Sequence, residues 1–321
     1  MTAWPLRYIL AVAKLLSKLP GAVLFTGNRV VVWWLVLIYA MFGAAWLISR
    51  RRKVRYWIPA ACSVLALCAV LTVNAVQLQR TSTVTALDVS QGQSIVFSSG
   101  RACAVVDCGG RSTAEDPGDL AARKLLAQGH RSLDLLVLTH PHDDHVNGVL
   151  RLMHWLPVRT LVIPAAADTT QAPLSDILVL AEENHTAVVR VDAERTLTAG
   201  GISVHLYPEP CAGQEDGSMI VLTSIGTYDT LVPGDVDMTA EVKFLSSCTY
   251  PGIELLLVGH HGSKRSTSDA WLDAIAPDAA IISVGYNTYG HPTSETLERL
   301  QAHNIPIYRT DQMGDITVHL S

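Results

Sequence analysis

Leu133-Asp134-Leu135-Leu136-Val137-Leu138-Thr139-His140-Pro141-His142-Asp143-Asp144-His145 sets an apolar run directly before a turn with three His and two Asp in six residues. A short apolar run bounded by turn residues reads as a buried strand. A turn at the C-terminal end of such a strand lets alternate side chains converge. His140 and His142 can ligate one metal through imidazole, and Asp144 and His145 a second. Imidazole with carboxylate suits Zn2+, Mn2+ or Fe. A solvent loop rich in these residues by chance is the plain alternative, and the density of ligand types argues against it.

An H-x-H-x-D-H run after a hydrophobic strand resembles the metallo-β-lactamase superfamily. The resemblance extends over most of residues 84–320, because further pieces occur in order. It implies an α/β fold, an αββα sandwich with two divalent metals at the rim of its sheets. Asp107 in VVDCGG is similar to that family's Asp that braces the His loop. Asp235 in LVPGDVD is similar to the Asp that bridges the metals. His260-His261-Gly262-Ser263 follows a strand-like run at 254–258. One of these histidines would complete the second metal's shell and the other would protonate a leaving group or position substrate. His261 is preferred as ligand, and His260 as catalytic group or alternative ligand. His291, in Tyr289-Gly290-His291-Pro292, is a further catalytic candidate. The expected metal ligands are therefore His140, His142, Asp144, His145, Asp235 and His261. The expected catalytic residues are Asp144, His260 and His291. His205, in an alternating strand, is a weaker candidate. No His stands near Asp216-Gly217-Ser218, where the superfamily's third motif falls, so the first metal would hold fewer protein ligands.

Charge divides the chain. Residues 1–80 hold ten Lys or Arg, no Asp or Glu, and none of the twelve His. Taking those ten from the chain's 24 basic residues leaves fourteen against 29 acidic residues in 81–321, a net charge of −15. A basic, apolar front thus precedes an acidic, His-rich back. This excludes a wholly soluble protein, a disordered one and a small disulfide scaffold. Residues 30–49 and 56–79 carry no charge. Each is long enough to cross a bilayer core of about 30 Å as a helix. They are expected to form a transmembrane hairpin over 30–80. Between them lie Arg50, Arg51, Arg52, Lys53 and Arg55, five charges that hold a short loop in the cytoplasm. Both ends of the hairpin, and everything after residue 80, then fall on the outer face of the inner membrane. Residues 1–29 read as an amphipathic interfacial segment, with Arg7, Lys14 and Lys18 on one face and Pro20-Gly21 as its end.

Residues 81–321 suffice for one hydrolase domain. Twelve strand-like runs recur, at 83–89, 94–97, 102–106, 133–138, 160–163, 202–206, 219–225, 230–232, 253–258, 279–284, 305–308 and 316–320. Helical patterns fall at 120–128, 173–183, 239–246, 269–274 and 294–302. Cys211 and Cys248 could pair in an oxidising space, but buried free thiols are the better expectation.

Leu87-Asp88-Val89-Ser90-Gln91-Gly92-Gln93-Ser94, HHGSKRS at 260–266, SVGYNTYGHP at 283–292 and Arg309-Thr310-Asp311 together resemble the ComEC competence proteins. So does the front, with its amphipathic segment, two spans and following hydrolase domain. That family implies a membrane protein of DNA uptake in natural transformation whose last domain degrades the strand that does not enter. Full members carry many more membrane helices, so this chain reads as a form truncated at its N-terminus. Ser90 stands where that family has Gly. The implied activity is a metal-dependent nuclease using Zn2+ or Mn2+, with DNA as substrate, the lipid bilayer as anchor and other membrane subunits as partners. Lys264, Arg265 and Arg299 are candidates for a local phosphate-binding patch. A hydrolase of a wall phosphodiester or a lactone would use the same ligands, and a non-catalytic channel subunit would not need them.

Overall fold

The computed structural model describes residues 3–16, 29–50, 55–111, 115–208 and 218–320. The chain divides into two compact units, Met1–Asn74 with Leu126–Gly129, and Ala75–Leu125 with His130–Ser321.

The first unit holds α1 (Ala3–Leu16), α2 (Arg29–Ser49) and most of α3 (Trp57–Arg80). The indole of Trp34 on α2 donates to the Ser63 carbonyl on α3 at 3.1 Å, so these two helices lie side by side. Among the described residues one helix is long and apolar enough to cross a membrane, over Val32–Ser49. One of the two expected spans is thus met by length and composition among the described residues. Within α3 a shorter apolar run covers Trp57–Val73. Lys18, Pro20, Gly21 and the basic positions 51–53 lie outside the described residues, as does Cys211.

In chain order the second unit holds β1 (Ser82–Ala86), β2 (Ile95–Ser99), β3 (Ala102–Val106), most of α4 (Pro117–Ala127) and β4 (Leu133–Val137). There follow α5 (Asp143–Val146), α6 (Val149–Trp155), β5 (Val158–Pro164), α7 (Leu174–Glu183), β6 (Ala187–Val191), β7 (Arg195–Ala199) and β8 (Ile202–Tyr207). The remainder is β9 (Ile220–Ile225), β10 (Tyr228–Val232), α8 (Met238–Ser247), β11 (Leu255–Leu257), α9 (Asp269–Ile275), β12 (Ala279–Ile282), α10 (Ser294–Ala302), β13 (Ile307–Arg309), α11 (Thr310–Met313) and β14 (Ile316–Leu320).

Two seven-stranded sheets result, ordered β14-β1-β2-β3-β4-β5-β6 and β13-β12-β11-β10-β9-β8-β7. Each is half antiparallel and half parallel. In the first, β14 through β3 alternate in direction, and β3 through β6 run parallel. In the second, β10 through β13 run parallel and β7 through β10 alternate. Parallel neighbours need crossovers, which α4, α6, α7, α8, α9 and α10 supply.

The facing sheets bury one apolar layer. Val84, Phe97, Val106, Val137 and Val162 meet Val204, Leu206, Val221, Val232, Leu257 and Ile281 in a single cluster. A second cluster centres on Phe244 and Trp271 beneath α8, α9 and α10, on the outer side of the second sheet. The αββα architecture expected from sequence is the one observed. The parallel halves matter most for function. The C-terminal ends of β3, β4, β10, β11 and β12 open into the loops that carry the clustered His and Asp. Sites in sheets of this type form at the carboxyl ends of parallel strands.

Candidate metal centre

The centre is built on Asp107, the residue after β3. It holds a left-handed backbone (φ 58) and is fully buried. Oδ1 accepts from the Thr139 backbone N–H at 2.7 Å. Oδ2 accepts from Thr139 Oγ1 and from Gln93 Nε2, each at 2.8 Å, and lies 2.7 Å from His145 Nδ1. A carboxylate at Nδ1 fixes a proton there and turns Nε2 inward toward Asp235, as the atom available to a metal. The Thr139 hydroxyl has one proton, which goes to Asp107. It therefore accepts from His140 Nδ1 at 3.0 Å, and His140 Nε2 is bare.

Close backbone packing holds this arrangement. The Cys108 N–H donates to the His145 carbonyl at 2.7 Å, and the Gly148 N–H to the Cys108 carbonyl at 2.9 Å. A Cβ at Gly109 would stand 2.5 Å from the His145 backbone, so only glycine fits there. Burial pushes the Cys108 thiol far up, which leaves it a packing residue.

The second sheet supplies the rest. Asp235 follows β10 and presents one oxygen to each histidine, with Oδ1 3.3 Å from His145 Nε2 and Oδ2 3.7 Å from His140 Nε2. His260 and His261 follow β11 on left-handed backbone (φ 49 and 53). His261 Nδ1 donates to the Ser283 carbonyl at 2.8 Å, which aims its Nε2 inward, 3.7 Å from Asp144 Oδ2. Two groups emerge that could each hold a metal ion, His140, His142 and Asp235, and Asp144, His145 and His261. Within each group the ligand atoms lie within 4.8 Å of one another.

The residues fit a cation. His145 Nε2, Asp235 Oδ1 and His261 Nε2 are buried with no hydrogen-bond partner among the described residues. Buried polar atoms normally find partners. Three converging buried ligand atoms without one are what a bound cation satisfies. Burial holds His140 well below its ordinary range and lowers His261 too, so both rings stay neutral and free to ligate. Burial opposes charge on His145, but Asp235 and Asp107 outweigh it and hold its pKa well above the ordinary value, so without a cation Nε2 keeps a proton toward Asp235 that a bound cation would displace. Burial likewise opposes charge on Asp235, and His145 outweighs it, so Asp235 is held well below the carboxylate range.

A cavity of about 470 Å³ opens over the two groups. His142, Asp144, Asp235, His260, His261 and His291 all line it. His260 Nε2 lies 3.5 Å from Asp235 Oδ2, and the His260 ring is 5.5 Å from that of His291. All eight expected site residues are thus drawn to one place. His205 is not, since it bonds Thr196 Oγ1 at 2.9 Å and lines a separate cavity. Arg299 departs from expectation as well. Its guanidinium donates to the carbonyls of Thr267 and Ser266, each at 2.9 Å, and so clamps the loop after His261 rather than standing free for phosphate. Gln91, Arg111 and Tyr289 also line the cavity, with no role assigned to them from sequence.

Residues 87–286 match the family described as the Metallo-beta-lactamase superfamily, across the elements that build this centre. The chain belongs to that superfamily. Among its curated relatives, ComE operon protein 3 of Bacillus subtilis (strain 168) is 30% identical over 251 residues, covering 72% of this chain and 32% of its own length. Competence protein ComA of Neisseria gonorrhoeae is 29% identical over 237 residues, covering 72% of this chain and 31% of its own. The chain spans about a third of the length of these relatives. Among solved structures, the metallo-beta-lactamase fold protein YhfI from Bacillus subtilis has a TM-score of 0.50 at 13% identity, covering 75% of this chain and 100% of that one. That likeness concerns the fold. This superfamily member is a metal-dependent hydrolase related to competence proteins.

Proposed function

We propose that the protein is a membrane-anchored, metal-dependent phosphodiesterase that cuts DNA during uptake. The observation that carries this is the pair of adjacent ligand groups, with buried ligand atoms of His145, Asp235 and His261 left without hydrogen-bond partners among the described residues. His140, His142 and Asp235 would hold one divalent cation, and Asp144, His145 and His261 a second. Zn2+ or Mn2+ matches the donor set. When bound, such a pair lowers the pKa of water and offsets phosphate charge. Asp107 and Thr139 keep the ligand histidines in the required tautomers. His260, at the open wall of the cavity, gives a proton to the leaving oxygen. His291, kept neutral by burial and by its neighbour His260, hydrogen-bonds the substrate beside it. The α2–α3 hairpin is the bilayer anchor, with the hydrolase domain on the outer face and other membrane subunits beside it. Kinship with competence proteins supports DNA as the substrate.

The test uses the full chain purified in detergent. Its metal content is measured, then its cleavage of linear DNA with added Zn2+ or Mn2+, beside His142→Ala and Asp235→Asn. Metal-dependent cutting that both variants lose is the expected result. Bound metal without DNA cleavage would redirect the reading to a wall phosphodiester or a lactone. Absence of both bound metal and cleavage would overturn it.

A further inference from the structure

The lining of the metal cavity is short of positive charge. Arg111 is the one Lys or Arg among its described residues, in a domain that carries a net −15. Its backbone is pinned by an N–H bond to the Gln91 carbonyl at 2.8 Å. Its Nη1 donates to the Tyr289 hydroxyl at 3.2 Å, with Cζ 5.8 Å from the ring centroid. Tyr289 is 56% exposed, so its ring is open to a ligand. Rings then step inward. Tyr289 lies 5.9 Å from His291 at an interplanar angle of 33°, and His291 lies 5.5 Å from His260, which faces Asp235. Gln91, 1% exposed, lines the same wall with Oε1 unpartnered among the described residues. On the other side the cavity shares Pro141 and His142 with a second cleft of about 300 Å³, whose described lining holds Asp168 and no Lys or Arg. The cleft therefore has one cationic, aromatic arm and one neutral to acidic arm.

We propose that Arg111 and Tyr289 form a nucleotide subsite of this centre, one that selects single-stranded nucleic acid. The proposal rests on the phosphodiesterase reading for its choice of a phosphate polymer. A guanidinium pairs with a phosphate through a planar fork of N–H donors. A tyrosine ring takes a base of any identity by stacking, worth about tenfold or more in affinity per base. Arg111 holds the phosphate next to the scissile one, and Tyr289 stacks the base of the same nucleotide. Bases within a duplex are already stacked on both faces and cannot settle on Tyr289, so an unpaired strand is preferred.

The full chain in detergent is titrated, with Mn2+ present, into a fluorescent phosphorothioate oligothymidylate and into a duplex of equal length, and binding is read by anisotropy. Wild type is expected to favour the single strand about tenfold. Arg111→Ala and Tyr289→Leu each weaken single-strand binding about tenfold, while Tyr289→Phe, which keeps the ring, stays within about twofold of wild type. Arg111→Lys loses most of the Arg111 contribution, because a point charge lacks the fork. Melting curves and metal content show whether each variant is folded. If Tyr289→Leu misfolds, the comparison of Arg111→Lys with wild type and the strand preference decide the matter. Equal binding of strand and duplex, a Leu variant that binds like wild type, or no wild-type binding would overturn the subsite. Binding with this profile but no cleavage of ordinary DNA keeps the subsite and overturns the nuclease. Cleavage with variants indistinguishable from wild type does the reverse.

Discussion

Asp107 has both oxygens committed, one to the Thr139 backbone and the other to Gln93, the Thr139 hydroxyl and His145. An amide at this position offers His145 Nδ1 a donor or a weaker acceptor, and the ring is no longer held with Nε2 inward. Asp107→Asn should lower metal affinity by about 10–100-fold, as loss of a ligand's outer partner does, read by competition with a chromophoric chelator. His260 and His261 are adjacent but face different tasks. His261→Ala should lower the bound-metal stoichiometry, whereas His260→Ala should retain metal and lose turnover by about 10²–10⁴-fold, the range of a lost proton-transfer group. Metal content beside kcat separates them. At this scale the sequence was most informative where ligands cluster locally, as in 140–145, or follow a Gly at a strand end, as Asp235 does. Gln91, Arg111 and Tyr289 carry no such signature. They are separated by up to about two hundred residues and meet only because three loops open at one rim. Arg299 misled for the converse reason, since its composition suggests a phosphate contact and its bonds go to backbone carbonyls.

The run Gly234-Asp235-Val236-Asp237 sets two carboxylates two residues apart with unrelated work. Asp237 is the N-cap of α8, accepting from the N–H groups of Thr239 and Ala240 at 2.9 and 3.0 Å. Asp237→Ala should therefore cost about 1 kcal/mol of stability, by urea denaturation, with metal content unchanged. The loop after His261 is pinned from two helices. Glu241 of α8 accepts from the Thr267 and Ser268 N–H groups, and Arg299 of α10 holds the carbonyls opposite. Most elements were legible from hydrophobic period and punctuation. The strands β6 and β7 were not. They are edge strands whose side chains are largely exposed, so neither shows the apolar run or the clean alternation that marks a buried strand. The short α5 and α6 were missed because the His-rich turn that precedes them reads as loop. Two packed sheets could be inferred from strand number, but the switch from antiparallel to parallel pairing could not, since crossovers set it.

The two halves of the chain have opposite solvent preferences, and α2 has the length and apolarity to bind lipid. The full chain should stay with the membrane pellet through an alkaline carbonate wash, and release into the supernatant would refute the anchor. Within the hydrolase domain, His130 is buried on Ser98 Oγ at 2.8 Å, and burial lowers its pKa. A group depressed on folding is neutral in the native state. Its stabilising share is present above the unfolded value of about 6.5 and is lost as pH falls through it. Melting temperature should drop between about pH 7.5 and 5, and His130→Gln should flatten that slope while lowering stability at the upper end.

The pairing of β14 with β1 joins residues 316–320 to residues 82–86, nearly the whole length of the domain apart. Just before it, Asp315 Oδ1 accepts from the Asp88 N–H at 2.9 Å and so ties down the start of the loop that leads to Gln91 and Gln93. During synthesis β1 must wait as an uncovered edge until the final strand leaves the ribosome, and such edges invite pairing with other chains. A message cut short before residue 315 would yield every metal ligand yet leave the wall beside them untethered and the first sheet prone to aggregate. The order of the cavity wall thus depends on a segment made more than two hundred residues after it.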